Sequence, residues 1–218
     1  MKKNIIIFDL DGTLLNTLND LADSTNITLE HFNYPIRTVE EVRNFVGNGV
    51  AKLIERAIPE GRNNTDFEKC LEYFKKVYSK NMYNKTAPYD GIIEMLEKLH
   101  IKGYKTAVVS NKFDAAVKEL CSRYFPGLID LAAGENEEMG IKKKPAPDTV
   151  LKVLNDFNSN KSGAIYVGDS EVDIMTAQNA GIPCISVSWG FKDKQFLIEH
   201  NAEFIADSPN DILNYLAE

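Results

Sequence analysis

At 218 residues and 44% hydrophobic content, the chain has enough apolar material for one domain or for a domain with an insert, and no stretch approaches the ~20 apolar residues of a membrane span. Its net charge of −7 argues against a general nucleic-acid binder, which needs a basic surface. Cys70, Cys121 and Cys184 lie far apart with no Cys-x-x-Cys pair, so neither a zinc site nor a disulfide framework is indicated, and a cytoplasmic location is expected.

The first predicted element is a strand over 4–8. Its run Ile5-Ile6-Ile7-Phe8 is short, mostly β-branched and uninterrupted, as a strand buried on both faces requires, and it is too short for the core of a signal peptide. Asp9 and Asp11 follow at once, and Gly12 permits a sharp turn, so two carboxylates sit where a strand gives way to a loop. A hard cation would hold both as anions. A carboxylate attacking phosphorus forms an aspartyl-phosphate, and a second carboxyl can protonate the leaving alcohol. An acidic turn capping a helix is the plainer alternative.

From about 16 to 85 the pattern is helical. Leu18, Leu21, Ala22, Thr25, Leu29 and Phe32 hold one face, and Phe67, Cys70, Leu71, Phe74, Val77 and Tyr78 another. Between them, Gly47-Asn48-Gly49 reads as a turn between helices. Equal numbers of acidic and basic residues make 15–85 neutral, so the whole charge deficit lies outside it. After a linker over 84–91, strands predicted at 105–109, 129–132, 164–167, 184–188 and 203–206 alternate with helices near 91–101, 112–123, 146–156, 171–180 and 209–217. That alternation predicts an α/β fold with a doubly wound parallel sheet. Ser110 can serve as the N-cap of the 112–123 helix; Lys142, Lys143 and Lys144 can be a solvated basic turn; Asp169 and Asp173 fall on one side of a first helical turn.

Four segments in order resemble the motifs of the haloacid dehalogenase superfamily in its phosphatase form: Asp9-Leu10-Asp11-Gly12-Thr13-Leu14; Val108-Val109-Ser110-Asn111; Lys144-Pro145-Ala146-Pro147; and Gly168-Asp169-Ser170-Glu171-Val172-Asp173. The resemblance runs over nearly the whole chain. It implies a Rossmann-like catalytic core, 1–14 with 86–218, and an inserted helical cap, 15–85. It also implies a nucleophile at Asp9, an acid–base at Asp11 and a charge-neutralising Lys144. Ser110 and the backbone N–H of Asn111 would bind the phosphoryl oxygens, with Thr13 and Asp173 supporting the loops. Mg²⁺ would be held by Asp9, the carbonyl of Asp11 and Asp169. Asp11 argues against the superfamily's dehalogenases, which lack that second aspartate.

The cap segment Val46-Gly47-Asn48-Gly49-Val50, with Glu55-Arg56-Ala57 after it, resembles that of phosphoglycolate phosphatases. This implies a small phosphorylated metabolite, 2-phosphoglycolate first, bound with help from Gly47, Asn48 and Gly49, and a monomer or homodimer without nucleic-acid or membrane partners. Pyrophosphatase, nucleotidase and β-phosphoglucomutase-like activities on the same core are the alternatives, and a binding module with a decayed site is a further one. The mutase's Thr-x-Arg-x-Glu cap motif is missing, and no core motif residue is. Two features depart from the pattern: Leu15-Asn16-Thr17 stands where Leu-x-Asp-Ser is common, and the lone Trp189 follows a strand. His31, His100 and His200 fall outside all four motifs.

Overall fold

The computed structural model describes residues 3–136 and 140–217. In chain order these form β1 (Ile5–Phe8), β2 (Leu15–Asn16), α1 (Leu18–His31), α2 (Val39–Phe45), α3 (Val50–Ala57), α4 (Phe67–Asn81), β3 (Ala87–Pro88), α5 (Ile92–Ile101), β4 (Lys105–Phe113), α6 (Asp114–Tyr124), β5 (Leu131–Glu135), α7 (Asp148–Asp156), β6 (Ala164–Gly168), α8 (Glu171–Ala180), β7 (Cys184–Val187), α9 (Lys194–Glu199), β8 (Phe204–Ala206) and α10 (Pro209–Tyr215). The chain divides into two compact units, the first made of residues up to Leu15 with Pro88 onward, the second of Asn16–Ala87. At the two crossings, β2 and β3 form a small two-stranded sheet.

The first unit is built on a parallel six-stranded sheet, ordered β5-β4-β1-β6-β7-β8. Every residue of β1 is buried, as a parallel strand flanked by crossover helices must be. From β1 the chain moves outward through β4 and β5, then returns to the other side of β1 and runs out through β6, β7 and β8. The order therefore reverses beside β1. The crevice beyond the carboxyl ends of such strands is where open sheets receive ligands. Phe8 lies level with Val108 and Val167, so Asp9 emerges at that end, its N–H donating to Val167 O at 2.8 Å.

Three elements differ from the sequence reading. The helix expected at 112 begins at Asp114, and β4 runs through Phe113. The pairing of β4 with β5 slips between Val109 and Phe113, so Ser110, Asn111 and Lys112 stand opposite Gly134 alone. Such a bulge re-aims side chains at a strand end. Ser110 is therefore not the N-cap of α6. Gly134 is required here, because a Cβ would lie 2.6 Å from Lys112 O. The strand expected at 129–132 is displaced to Leu131–Glu135 because Asp130 turns back, accepting from Thr106 N–H at 2.9 Å. α9, not expected from the sequence, starts at Asp193, which accepts from Phe196 N–H at 2.8 Å.

The second unit is helical. Leu21 and Leu29 of α1 and Cys70, Phe74 and Tyr78 of α4 are buried, and the Phe74 and Tyr78 rings stack at 5.6 Å. Asp20, in the first turn of α1, is 1% exposed. It accepts from the N–H groups of Lys85 and Thr86 and from the Thr86 hydroxyl, at 2.8–3.0 Å. A buried carboxylate saturated by donors ties the start of this unit to its end.

Candidate active site

Asp9, Asp169 and Asp173 come together at the carboxyl ends of β1 and β6, with one oxygen of each within 4.8 Å of the others. Close approach depends on glycine at three positions. A Cβ at Gly12 or Gly190 would overlap Asp169, and one at Gly168 would overlap Asp173. Gly12 also takes φ +85°, the left-handed region that favours glycine.

Lys144 enters this cluster with its side chain 3% exposed. Its ammonium lies 2.9 Å from Asp9 Oδ1 and 2.8 Å from Asp173 Oδ1, and 3.1 Å from the Tyr166 hydroxyl. Its backbone is gripped as well: Asn111 Oδ1 accepts from Lys144 N–H at 2.8 Å, and Asn111 Nδ2 donates to Lys144 O at 3.1 Å. Of the three consecutive lysines, Lys142 is exposed, Lys143 half-buried and Lys144 buried. The basic-turn alternative thus fails for Lys144.

Asp173 spends both oxygens on protein donors. Oδ1 meets Lys144, and Oδ2 accepts from Ser170 N–H and hydroxyl at 3.1 and 2.7 Å, closing a capping box at the start of α8. Asp169 accepts from Phe191 N–H at 2.7 Å and from the Thr13 hydroxyl at 3.3 Å. Trp189 donates its indole N–H to Thr13 O at 3.0 Å, so the tryptophan braces the loop that follows β1. Ser110 is buried, and its hydroxyl oxygen accepts from Lys112 N–H at 3.3 Å.

Asp11 stands apart from the three-carboxylate cluster. Its Oδ2 pairs at 3.0 Å with the ammonium of Lys112, whose side chain is 2% exposed. The sequence reading placed Lys112 at a helix start and gave it no role; a lysine two residues beyond a strand-end serine, opposite an acidic turn, was the available signal. Tyr166, buried inside β6, was also missed, since an aromatic within an apolar strand looks like ordinary core.

The electrostatics are set by burial. Burial pushes the Asp9 carboxyl up to about 7; the Lys144 ammonium pulls it down, and Asp173 and Asp11 push it further up. Asp169 is raised well above the carboxylate range, first by burial and then by Asp173 and Asp9. Burial opposes the charge on Lys144, but Asp173 and Asp9 outweigh it and the net shift is upward. Lys144 thus pairs with Asp9 and Asp173 and Lys112 with Asp11, while Asp169 is held by Phe191 N–H and the Thr13 hydroxyl. A set of carboxyl oxygens crowded this closely fits a hard divalent cation, which would hold them as anions.

In the second unit, Gly47 (φ +106°) and Gly49 (φ +85°) frame Asn48 between α2 and α3. Arg56 folds back on this turn, donating to Phe45 O at 2.8 Å and to Asn48 Oδ1 at 3.0 Å.

Sheet order, strand-end carboxylates and buried lysine together describe an α/β protein with a charged site at the switch point of its sheet, and residues 6–187 match the family model of haloacid dehalogenase-like hydrolases. The chain belongs to that family. It is 34% identical over 230 residues to a phosphoglycolate phosphatase of Psychrobacter arcticus, covering 99% of this chain and 96% of that one. It is 31% identical to that of Vibrio parahaemolyticus, covering 98% and 96%. A crystal structure from Lactobacillus delbrueckii subsp. bulgaricus, provisionally assigned as a phosphoglycolate phosphatase, superposes with a TM-score of 0.93 at 36% identity, covering 99% of each chain. Within its family the chain is thus a phosphatase of the phosphoglycolate phosphatase-like kind.

Proposed function

We propose that the protein is a Mg²⁺-dependent phosphomonoesterase acting through an aspartyl-phosphate on Asp9, with 2-phosphoglycolate as substrate. The observation that carries this reading is the ion pair of buried Asp9 with Lys144 at 2.9 Å, at the end of the central strand and beside Asp169. An oxygen of Asp9 bonds to phosphorus as the ester P–O bond breaks, and Asp11 gives its proton to the departing alkoxide. Water then attacks the phosphorus and leaves its proton on Asp11, and the bond to Asp9 breaks. Both aspartates return to their starting states, and the products are alcohol and inorganic phosphate.

Positioning and charge neutralisation dominate such chemistry. Lys144 neutralises Asp9 and the transferring group. Ser110 and the Asn111 N–H bind phosphoryl oxygens, and the Asn111 side chain holds the Lys144 backbone in place. Asp9, the Asp11 carbonyl and Asp169 would hold the cation, which when bound offsets repulsion between carboxylate and phosphate. Thr13 and Asp173 keep the loops in register.

The Asn16–Ala87 unit is the cap in this reading, and its turn Gly47-Asn48-Gly49 is the segment assigned to substrate discrimination. Arg56 can only donate, so it fixes Asn48 Oδ1 and turns the Nδ2 donors the other way, where they suit a substrate carboxylate. The cysteines are free thiols, which supports a cytoplasmic setting. The test is kcat/KM on phosphoglycolate, pyrophosphate, nucleoside monophosphates and β-glucose 1-phosphate, with Mg²⁺ and with excess EDTA. A preference for phosphoglycolate that EDTA removes supports the reading. Preference for another substrate replaces the substrate assignment, and full activity in EDTA removes the metal.

A further inference from the structure

Two buried lysines divide the two aspartates of the strand-end turn between them. Lys144 pairs with Asp9, and Lys112 with Asp11, at 2.9 and 3.0 Å. The bulge in β4 is what makes the second pair, because it places Ser110, Asn111 and Lys112 opposite the single residue Gly134. Asp11 Oδ2 is engaged by the lysine while its side chain retains 19% exposure, so the carboxylate is held yet still open to a reactant. A long lysine side chain sequestered to 2% exposure has lost its rotamer freedom, so its ammonium is a fixed point rather than a mobile counter-charge.

We propose that Lys112 is a positioning residue for the acid–base Asp11, holding its carboxylate in the one orientation from which it reaches the water that hydrolyses the aspartyl-phosphate. This rests on the mechanism proposed above. In that step the water oxygen bonds to phosphorus, its proton passes to Asp11, and the P–O bond to Asp9 breaks. An unaimed carboxylate slows that transfer. The first step differs when the leaving group is p-nitrophenolate, which departs as a stable anion and needs no proton from Asp11. With that ester, loss of Lys112 falls on hydrolysis of the intermediate alone.

The experiment is pre-steady-state hydrolysis of p-nitrophenyl phosphate with saturating Mg²⁺ by wild type, Lys112→Met, Lys112→Gln, Lys112→Arg and Asp11→Asn, and by Asp11→Asn/Lys112→Met. Lys112→Met and Lys112→Gln are expected to give a burst of p-nitrophenol close to one equivalent of enzyme, with steady-state turnover about tenfold or more below wild type and a burst rate within about threefold of it. Lys112→Arg should recover part of the turnover. Adding Lys112→Met to Asp11→Asn should cost nothing further, because a residue acting through Asp11 has no effect once Asp11 cannot act. Burst and turnover falling together, a weaker Mg²⁺ requirement shared by both neutral variants, or additive losses in the double variant would overturn the proposal, as would failure of both neutral variants to fold. Asp9→Asn is the control for the underlying mechanism: if it hydrolyses the ester at near wild-type rate, the mechanism itself is wrong, whatever Lys112 does.

Discussion

Asp9 carries its proton to higher pH than an ordinary aspartate, and this has a measurable consequence. Between 3.8 and about 7 the folded, metal-free protein keeps a proton on Asp9 that the unfolded chain releases. The group therefore supports the fold at the acid end of this window and ceases to do so as pH rises through about 7; Asp169 is shifted in the same direction. In EDTA, Tm should fall from pH 5 to pH 8 more steeply for wild type than for Asp9→Asn, and Mg²⁺ should raise wild-type Tm most at pH 8. Identical slopes for the two proteins would contradict the burial argument. The adjacent lysines make a second test. Lys144→Ala strands Asp9 and Asp173 without their ammonium, a loss of about 3–5 kcal/mol for a broken buried pair, whereas Lys142→Ala, at an exposed position, should stay within about 0.5 kcal/mol. Denaturant unfolding and steady-state activity read both, and equal effects would reject the assignment of Lys144.

At the scale of elements, the central strand and the strand ending in Gly168 were legible because buried parallel strands are apolar without interruption. The β4–α6 junction was not. Ser110, Asn111 and Lys112 are polar and precede a helical pattern, so they read as a cap; the slip against Gly134 that keeps them in the strand is a relation between distant segments, invisible to local periodicity. Asp20 was hidden for the same reason, since its donors lie 65 and 66 residues away. So was Gly190, whose necessity comes from Asp169 packed against it. Gly190→Ala should therefore displace Asp169 while leaving the sheet intact. The expected result is an activity loss of about tenfold or more, with a higher Mg²⁺ concentration needed for half-maximal rate and an unchanged circular dichroism spectrum. Wild-type Mg²⁺ dependence in this variant would show that Asp169 is not where the cation is held.

For the molecule as a whole, the sequence separated an alternating strand–helix part from a helical one, because short uninterrupted apolar runs and a period of 3.6 are both local signals. The four motifs were readable because each sits at a strand end or helix start. Lys144 beside Asp9 was foreseen from the resemblance, but Lys112 beside Asp11 was beyond reach, because it depends on how β4 pairs with its neighbours in the sheet. Division of labour between the two units makes its own prediction. Asn48→Ala removes donors fixed by Arg56 without altering either neighbouring glycine, so kcat/KM for phosphoglycolate should fall about tenfold or more while that for p-nitrophenyl phosphate stays within about twofold. Equal losses would give the turn a structural role only.

The central claim is that Asp9 itself carries the phosphoryl group. It is tested most directly by acid-quenching the enzyme during turnover, reducing the acyl phosphate with borohydride, and locating the modified residue by mass spectrometry of the digest. Modification at Asp9, abolished in Asp9→Asn, is the predicted result. Modification at Asp11 or at any other residue, or a label that persists in Asp9→Asn, would contradict it.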